Sequence, residues 1–365
     1  MKIAINERFA TQGLSGVQRY ASEVVRVLRS ETPQSERTTI ELVAPSGSIW
    51  TSRGTGHVWD QIVLPLRARD SVLLCLGNVG PVIARRQVVV LHDAAIYDVP
   101  ESYRPTYRLA HRIVHRGLVA RGARLATVSE FSRERLATAL GLPSESIPVT
   151  GVGSDHIERP RPEPSILQKL ALRPAGYVLA VASRVAHKNL PLLEAATPAL
   201  AERGLRTVLV GEIAPRFAAD QSRLASLIAT GPLNDGQLRA LYEHAFAFVF
   251  PSYYEGFGLP PLEAMRLGCP VLIARARPLV EHCGEAALSF SPTDPAELIA
   301  QVDRLNASSA LRAELGSRGR RLAARWRWSD VAANILKLLA DCVRGEPAPA
   351  SRCGSVHRSE IEIRG

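Results

Sequence analysis

An alternation of strand-like and helix-like segments stops near the middle of the chain and then starts again. Short apolar runs, such as residues 2–5 and 87–91, alternate with segments whose apolar residues recur at helical spacing, such as residues 17–29. The proline-rich, charged stretch ERPRPEP at residues 158–164 interrupts the alternation, which resumes at Tyr177. Strands that alternate with helices are typical of a mostly parallel sheet. The sequence therefore predicts the α/β class, with two doubly wound domains.

The domain boundaries follow from where this alternation stops and restarts. A final amphipathic helix is predicted after residue 327, and the stretch beyond it is too polar to form a core. We divide the chain into a first domain at residues 1–157, a linker at 158–174, a second domain at 175–327, a final helix at 328–345 and a disordered tail at 346–365. Two less regular segments are predicted as a strand at residues 147–149 and a helix near residues 217–229.

The composition excludes several classes of protein. Of the 365 residues, 46% are apolar and 22% are charged, which is enough apolar material for two packed cores. No apolar run reaches the ~20 residues of a membrane-spanning helix, and the first residues contain no secretory segment, so we expect a cytoplasmic protein. The five cysteines are scattered and form no C-x-x-C pair, which argues against a disulfide framework and against a zinc site.

The segment FPSYYEGFGLPPLE at residues 250–263 carries the strongest local signal. Gly256 and Gly258 let a ligand approach the backbone, and the helix that follows offers free N–H groups to an anion. Because a carboxylate repels phosphate, Glu255 and Glu263 are better suited to accept hydrogen bonds from sugar hydroxyls. In the alternative interpretation, Glu263 only complements the helix dipole and Glu255 is solvated.

A second candidate site follows the first strand of the second domain. The stretch VASRVAHKN at residues 181–189 places Arg184 and Lys188 where a strand turns into a helix. Cations at such a turn suit a diphosphate through their own charge and the helix dipole together, although a solvated basic helix start is the alternative.

The first domain contributes candidates at two strand ends. His92 and Asp93 end the apolar run VVVL, so both lie at the carboxyl end of a sheet, where α/β folds bind ligands. A lone histidine is more often structural, and Asp93 can serve only to orient its loop or His92. A glycine-containing loop then leads to Gly16 and Arg19, and Arg19 alternatively forms a structural ion pair. That loop matches neither GxGxxG nor GxxxxGK[ST], which argues against a dehydrogenase and a P-loop NTPase.

Arginines recur every four residues on a predicted helix at residues 104–120. We expect this arginine face (Arg104, Arg108, Arg112 and Arg116) to lie opposite the apolar Leu109, Ile113 and Val114. A solvated face and contact with an anionic membrane are equally good explanations of the pattern. We expect no nucleic-acid partner, because only 5% of the residues are aromatic and no recognition motif is present.

Together these segments resemble the retaining GT-B glycosyltransferases of family 4, the large group 1 family, and bacterial mannosyltransferases among them. Glu255 and Glu263 match its E-x7-E motif, and His92 matches a histidine of the first domain. Lys188 matches the lysine of a G-x-x-x-x-[RH]-K-N segment, from which the chain departs at Ala182 and Ser183. The resemblance covers roughly residues 2–343. It implies two Rossmann-like domains that face a cleft, with the final helix packed back on the first domain.

The resemblance implies a role for each matched residue. The catalytic residues are His92, which bonds the donor sugar or polarises the reacting centre, Lys188, which grips the donor pyrophosphate, and Glu255, which contacts the sugar. The donor-binding residues are Gly16, Arg184, Lys188, Glu255, Gly256, Phe257, Gly258, Leu259 and Glu263, the last of these at the ribose. The acceptor-binding residues are Gly16, Arg19 and Asp93. No cofactor or metal is expected, since the sequence contains no Asp-x-Asp.

The implied function is retaining transfer of a hexose from a nucleotide sugar, with GDP-mannose favoured. The acceptor would be a glycan or a lipid-linked saccharide in bacterial surface polysaccharide synthesis, with peripheral contact at the inner face of the plasma membrane. UDP-glucose or another nucleotide hexose is an alternative donor. A GT-B sugar-nucleotide epimerase and a non-catalytic carbohydrate-binding scaffold are alternative functions.

Overall fold

In the computed structural model the chain folds around two parallel β-sheets. The structure describes residues 1–31, 38–45, 55–183, 185–211 and 227–345. The strands found there are β1 (Lys2–Asn6), β2 (Thr39–Val43), β3 (Val72–Cys75), β4 (Gln87–Val90), β5 (Arg124–Ala126), β6 (Tyr177–Val181), β7 (Arg206–Val210), β8 (Leu227–Gly231), β9 (Ala247–Phe250), β10 (Val271–Ala274) and β11 (Ala287–Phe290). Every residue of β3, β4, β9 and β10 is buried, as expected of strands covered on both faces.

Helices connect the strands, and several of them begin with a capping side chain. They are α1 (Gly16–Glu31), α2 (Thr55–Val58), α3 (Leu64–Arg67), α4 (Ala95–Asp98), α5 (Pro105–Ala120), α6 (Glu130–Leu140), α7 (Ser165–Lys169), α8 (Leu190–Glu202), α9 (Asp235–His244), α10 (Leu259–Arg266), α11 (Arg277–Cys283), α12 (Pro295–Ala307), α13 (Ser309–Ala323) and α14 (Trp328–Arg344). Ser129 caps α6 by accepting from the Ser132 N–H at 3.0 Å, and Asn234 and Gln237 form a capping box at α9.

The order of the strands confirms the α/β class with two doubly wound sheets. The first sheet runs β2-β1-β3-β4-β5 and the second runs β11-β10-β9-β6-β7-β8, with every pair parallel. In the second sheet the order reverses between β6 and β9, where Val178 lies opposite Ala247. Doubly wound sheets bind ligands at the carboxyl ends of the strands that flank such a reversal.

The final helix lies against the first sheet although it follows the second in sequence. Helix α14 packs on α1, β3 and β4. Its first residue, Trp328, is fully buried, with its ring centroid 5.5 Å from that of Tyr20. One apolar cluster therefore extends from the first sheet through α14 to the facing side of the second sheet.

The predicted tail at 346–365 lies outside the described residues, and the domain limits stay predictions.

Two predicted elements differ from the structure. Residues 147–149 form no strand, and Val149 makes only an isolated bridge to Thr127. Pro148 has no N–H and cannot extend a ladder. The helix predicted near residues 217–229 is wrong at its end, because Leu227–Gly231 is the edge strand β8. Residues 217–226 lie outside the described residues.

The apolar residues of α5 that the sequence places opposite the arginine face are largely exposed. Leu109 and Ile113 are each 61% exposed, so the arginine face does not lie opposite a buried apolar face. The helix instead buries His111, His115 and Leu118. Each histidine bonds a carbonyl oxygen through one ring nitrogen, His111 at Tyr107 and His115 at Asn78, so both tolerate burial where a hydrophobic pattern predicts aliphatic residues.

Candidate active site at the carboxyl ends of the two sheets

Lys188 and Glu255 meet where the strand order of the second sheet reverses. Lys188 follows β6 and Glu255 follows β9, the two strands that flank the reversal. The Lys188 Nζ lies 2.5 Å from Glu255 Oε1, and the two side chains are 19% and 12% exposed. The structure therefore brings the two strongest sequence predictions into direct contact at the position where this kind of sheet binds ligands.

The turn that carries Lys188 is fixed by its own backbone. Lys188 ends a short 3-10 turn, Ala186–Lys188, and Asn189 adopts a left-handed φ of 53°. The Asn189 amide donates to the carbonyl oxygens of Pro251 at 3.1 Å and Pro292 at 2.7 Å, which ties this turn to the loops after β9 and β11. The neighbouring candidate, Arg184, lies outside the described residues, so its donor-binding role stays a prediction.

The loop after β9 packs directly on the first domain at Gly256. The Gly256 carbonyl accepts hydrogen bonds from the hydroxyls of Ser129, at 2.5 Å, and Ser132, at 3.0 Å. A Cβ atom at Gly256 would lie 2.5 Å from the carbonyl oxygen of His92, so no larger residue fits this approach. Gly258 caps α10 with a φ of 99°, which also favours glycine.

His92 is buried and uncharged. Its Nε2–H donates to the Leu76 carbonyl at 2.9 Å, and its ring packs edge-on to Tyr20 with a centroid distance of 4.8 Å. Burial lowers the pKa of His92 to about 4, although the bond to Leu76 opposes the shift. A neutral ring favours hydrogen bonding to a sugar over polarisation by a positive charge, and both roles stay predictions.

Asp93 lies close to the ion pair. Burial, with a further contribution from the charge of Glu255, raises the pKa of Asp93 to about 6. Its Oδ1 accepts from the Ala95 N–H at 2.8 Å, which holds the carboxylate at the start of α4. The two carboxylates and Lys188 thus form one electrostatic group contributed by both domains, and the acceptor-binding role of Asp93 stays a prediction.

Glu263 belongs to a buried network that the sequence did not reveal. His156 Nε2 donates to its Oε1 at 2.9 Å, and the Tyr242 hydroxyl donates to its Oε2 at 3.1 Å. The Trp328 indole in turn donates to His156 Nδ1 at 3.1 Å, which fixes the tautomer. Burial alone would raise the pKa of Glu263, but these hydrogen bonds and nearby positive charge hold it below its usual range. A ribose hydroxyl would have to share the Glu263 carboxylate with His156 and Tyr242, and the predicted ribose contact stays a prediction.

The remaining candidates are positioned by helix starts and core packing. Gly16 begins α1, and a Cβ there would meet nothing within 4 Å. Arg19 donates to Asp235 of α9 at 2.8 Å and so joins the two domains by an ion pair, beside a cleft of about 630 Å³ that Leu14 and Asp235 help to line. The Phe257 ring is buried against His282, with a centroid distance of 3.9 Å, and the Phe257 carbonyl oxygen lies 3.1 Å from His282 Nδ1, so its donor-binding role stays a prediction. Leu259 is the first residue of α10.

Two comparisons identify the family. Residues 176–308 match the family model described as glycosyl transferases group 1. The O-antigen chain mannosyltransferase B of Escherichia coli is 31% identical over 271 residues, which cover 70% of this chain and 71% of that protein. The chain belongs to the group 1 glycosyltransferases.

The wider comparisons agree with this assignment. This glycosyltransferase is 29% identical over 215 residues to the serotype-specific mannosyltransferase WbdA of Escherichia coli, a match that covers 56% of this chain and 26% of that protein. The fold is GT-B. Sucrose-phosphate synthase from Thermosynechococcus elongatus has a TM-score of 0.73 and 16% identity over 94% of this chain and 100% of that one. The predicted group 1 family, the GT-B fold and the glycosyltransferase class are therefore confirmed.

The described part of this glycosyltransferase contains no group of three or more His, Cys, Asp or Glu side chains placed to hold a metal ion. Within the same residues, no helix combines the length and the apolar character needed to cross a membrane. We call the place where the two domains meet the seam. The functional groups available there are the positive charge of Lys188, the hydrogen-bond acceptors of Glu255 and Asp93, and the neutral imidazole of His92.

Proposed function

We propose that this glycosyltransferase transfers a mannosyl residue, with retention of configuration, from GDP-mannose to a glycan or lipid-linked saccharide. The product would be a bacterial surface polysaccharide. Two relatives named as mannosyltransferases of O-antigen and serotype polysaccharides support the sugar and the setting. The observation that carries the proposal is the Lys188–Glu255 pair at the strand reversal, because one position there offers both a cation for a diphosphate and a carboxylate for sugar hydroxyls.

Lys188 acts on the leaving group in this proposal. As the bond from the anomeric carbon to the diphosphate breaks, negative charge grows on the diphosphate and Lys188 stabilises it. The ammonium is held against Glu255 in the structure, so donor binding places the diphosphate on the cation while Glu255 turns its remaining acceptor sites to the sugar hydroxyls. We propose that Lys188 supplies this charge without a metal ion.

We further propose that α5 contacts an anionic membrane. Arg104 and Arg116 are exposed, and Leu109 and Ile113 are exposed apolar residues on the same helix. Basic side chains beside exposed apolar ones are typical of helices that lie at a lipid surface. Such contact would bring the cleft to a lipid-linked acceptor.

The donor test is a thermal-shift panel of GDP-, UDP- and dTDP-sugars, followed by a transfer assay with each sugar that binds. A ligand that binds only the folded state raises the unfolding temperature, so GDP-mannose should give the largest shift. A larger shift with UDP-glucose would make UDP-glucose the donor in place of GDP-mannose. If no nucleotide sugar binds, the transferase proposal is overturned. Proton NMR of the product reports the anomeric configuration, and transfer that survives EDTA supports the metal-free role.

The Lys188 test compares Lys188→Ala with Lys169→Ala, an exposed lysine of α7. We expect Lys188→Ala to lower transfer by at least about 100-fold, as loss of a charge that acts on the transition state does. Both variants should unfold at the wild-type temperature. Near-normal turnover of Lys188→Ala would remove Lys188 from the donor site.

A further inference from the structure

A row of aromatic rings leads along the first domain to the turn that carries Lys188. We call Tyr103, Tyr107, His111 and His187 the aromatic row. The His111 and Tyr107 ring centroids are 3.8 Å apart, and the Tyr107 and Tyr103 rings stack at 5.6 Å with an interplanar angle of 10°. His187, which directly precedes Lys188, continues the row at 6.3 Å from Tyr103. The row therefore connects the start of α5 with the predicted donor site.

Both ends of the aromatic row are anchored. The His111 Nδ1–H donates to the Tyr107 carbonyl at 2.9 Å. The His187 ring lies 3.0 Å from the Ser102 hydroxyl, across the seam between the domains. Burial lowers the pKa of each histidine to about 4, so neither carries a charge at neutral pH. A wall held in this way loses little conformational entropy when a ligand binds.

The two tyrosines of the row differ from the other six in the chain. The hydroxyls of Tyr20, Tyr97, Tyr177, Tyr242, Tyr253 and Tyr254 each have a hydrogen-bond partner within the protein. Among the described residues, none forms a hydrogen bond with the hydroxyl of Tyr103 or Tyr107. Tyr107 is 40% exposed, so a ligand can reach it. His111 covers one face of the Tyr107 ring and Tyr103 stacks beside it, so the exposed part of Tyr107 presents ring edge together with a hydroxyl that the protein leaves unpaired.

The groups around the row favour a neutral ligand over an anion. After burial, the charge of Asp93 is the next cause that raises the pKa of both tyrosines, so this carboxylate lies near enough to act on both hydroxyls, which stay protonated. The nearby Arg8 is paired with Asp60 at 2.8 Å. A phosphate at the two tyrosines would therefore be repelled by the Asp93 carboxylate, and the paired Arg8 would offset little of that repulsion. A sugar ring, with apolar C–H faces and hydroxyls, matches all of these groups.

We infer that Tyr103 and Tyr107 form the wall of the acceptor subsite and bind an uncharged pyranose, the terminal sugar of the acceptor. This inference rests on the proposed transferase function and adds residues that the sequence analysis did not select. The wall ends beside Lys188 and Asp93, so a pyranose bound on it has its hydroxyls next to the predicted donor sugar. Tyr107 is a binding residue in this inference and takes no part in the proton transfers.

The experiment measures transfer from GDP-mannose, or from whichever nucleotide sugar the donor panel selects, to mannotriose as the soluble acceptor probe. Tyr107→Phe removes only the hydroxyl and should raise the acceptor KM about 3- to 10-fold, with kcat changed less than 2-fold. Tyr107→Ala also removes the ring and should raise the KM further. Leu66→Ser, an exposed apolar change on α3 of the same domain, should leave both constants unchanged.

Donor binding and acceptor binding are then separated. Calorimetry with the donor alone should give the same affinity for Tyr107→Phe and wild type, and saturation-transfer NMR of mannotriose should weaken in the variants. An unchanged acceptor KM in both Tyr107 variants would overturn the inference while the transferase function stands. Failure of the wild type to bind any donor would sink the function and the inference with it.

Two further acceptor probes test the chemical class and its source. Mannose 6-phosphate should compete for the acceptor subsite more weakly than mannotriose. Stronger competition by mannose 6-phosphate would show that the subsite prefers an anionic ligand and would overturn the neutral-pyranose inference. An alkyl mannotrioside in detergent micelles distinguishes a lipid-linked from a free acceptor. If the lipid contributes to acceptor binding, the alkyl tail should lower the acceptor KM. Tyr107→Phe should still raise that KM by the same factor, and loss of this effect would contradict the proposed role of Tyr107 in sugar binding.

Discussion

Asp93 is a carboxyl group whose surroundings disfavour its charge. Its pKa of about 6 lies well above the ordinary value of 3.8, because burial and the charge of Glu255 both favour the protonated form. Between about pH 4 and pH 6 the folded protein therefore binds more protons at this site than the unfolded chain does. The free energy of unfolding consequently falls as the pH rises through this window, and the full loss of stability is reached above pH 6.

The first prediction concerns Asp93→Asn. Removing the ionisable group removes that cost, so the variant should be more stable than wild type by roughly 1–3 kcal/mol at pH 7.5 and no more stable at pH 4. Thermal unfolding at the two pH values measures this difference. Asp303→Asn is the control, since a hydrogen bond from Arg203 lowers the pKa of Asp303 and its removal should give no gain at pH 7.5. An equal gain at both pH values would contradict the assigned cause.

The residue-scale signals that the sequence carries are local ones. Glu255 and Lys188 were predicted because each follows a buried strand and precedes a helix, and short motifs record that geometry. The network of His156, Tyr242 and Trp328 around Glu263 was missed, because its members come from segments up to 172 residues apart. No spacing rule relates such residues, so only the folded chain reveals them.

At the scale of elements, α5 shows what a periodic pattern can and cannot predict. The predicted bounds, 104–120, agree closely with the observed Pro105–Ala120. The residues that α5 buries were not predicted, because an apolar pattern does not select histidine, whereas His111 and His115 have carbonyl partners that make burial tolerable. The exposed Leu109 and Ile113 are the consequence, and they give the helix an apolar surface beside its arginines.

The prediction at this scale is binding to lipid vesicles. Sedimentation with phosphatidylglycerol vesicles should weaken about 5-fold per charge in Arg104→Ser and Arg116→Ser, since a basic residue near an anionic surface contributes about 1 kcal/mol. Leu109→Ser with Ile113→Ser should weaken binding at all salt concentrations, whereas the arginine variants should differ from wild type only at low salt.

Matched exposed arginines on the second domain provide the control for this prediction. Arg304 of α12 and Arg321 of α13 are exposed, and their change to Ser removes the same net charge far from α5. Equal loss of vesicle binding in the control and in the α5 variants would mean that only net charge matters. Unchanged sedimentation of every variant would leave a solvated helix face as the explanation of the pattern.

At the scale of the whole molecule, the sequence predicted the two sheets but not the contacts that join them. Alternation, the proline-rich stretch and the glycine loops are features of each domain by itself, so they predict architecture. The joining contacts pair Gly256 with Ser129 and Ser132, Arg19 with Asp235, and Tyr254 with Asp98. Each depends on how two folded surfaces meet, which no local pattern encodes.

The contact at Gly256 leads to the last prediction, because Ser129 has two roles that a matched variant can separate. Its hydroxyl caps α6 and also donates to the Gly256 carbonyl of the other domain. Ser308 caps α13 in the same way by accepting from the Leu311 N–H at 3.1 Å, and no bond of this kind to the other domain accompanies it among the described contacts. Ser129→Ala and Ser308→Ala should therefore lose about the same 1 kcal/mol of cap energy.

Only Ser129→Ala should also loosen the seam. We expect its radius of gyration in small-angle X-ray scattering to rise above that of Ser308→Ala, and its donor KM to rise several-fold, because the Gly256 carbonyl then keeps only the bond from Ser132. Addition of the donor should restore the wild-type radius if ligand and seam favour the same closed arrangement. Identical scattering and identical KM in the two variants would show that the Ser129 bond forms when the domains close but does not stabilise the closed arrangement. The other joining contacts, such as the ion pair between Arg19 and Asp235 and the bond from Tyr254 to Asp98, would then hold the domains together.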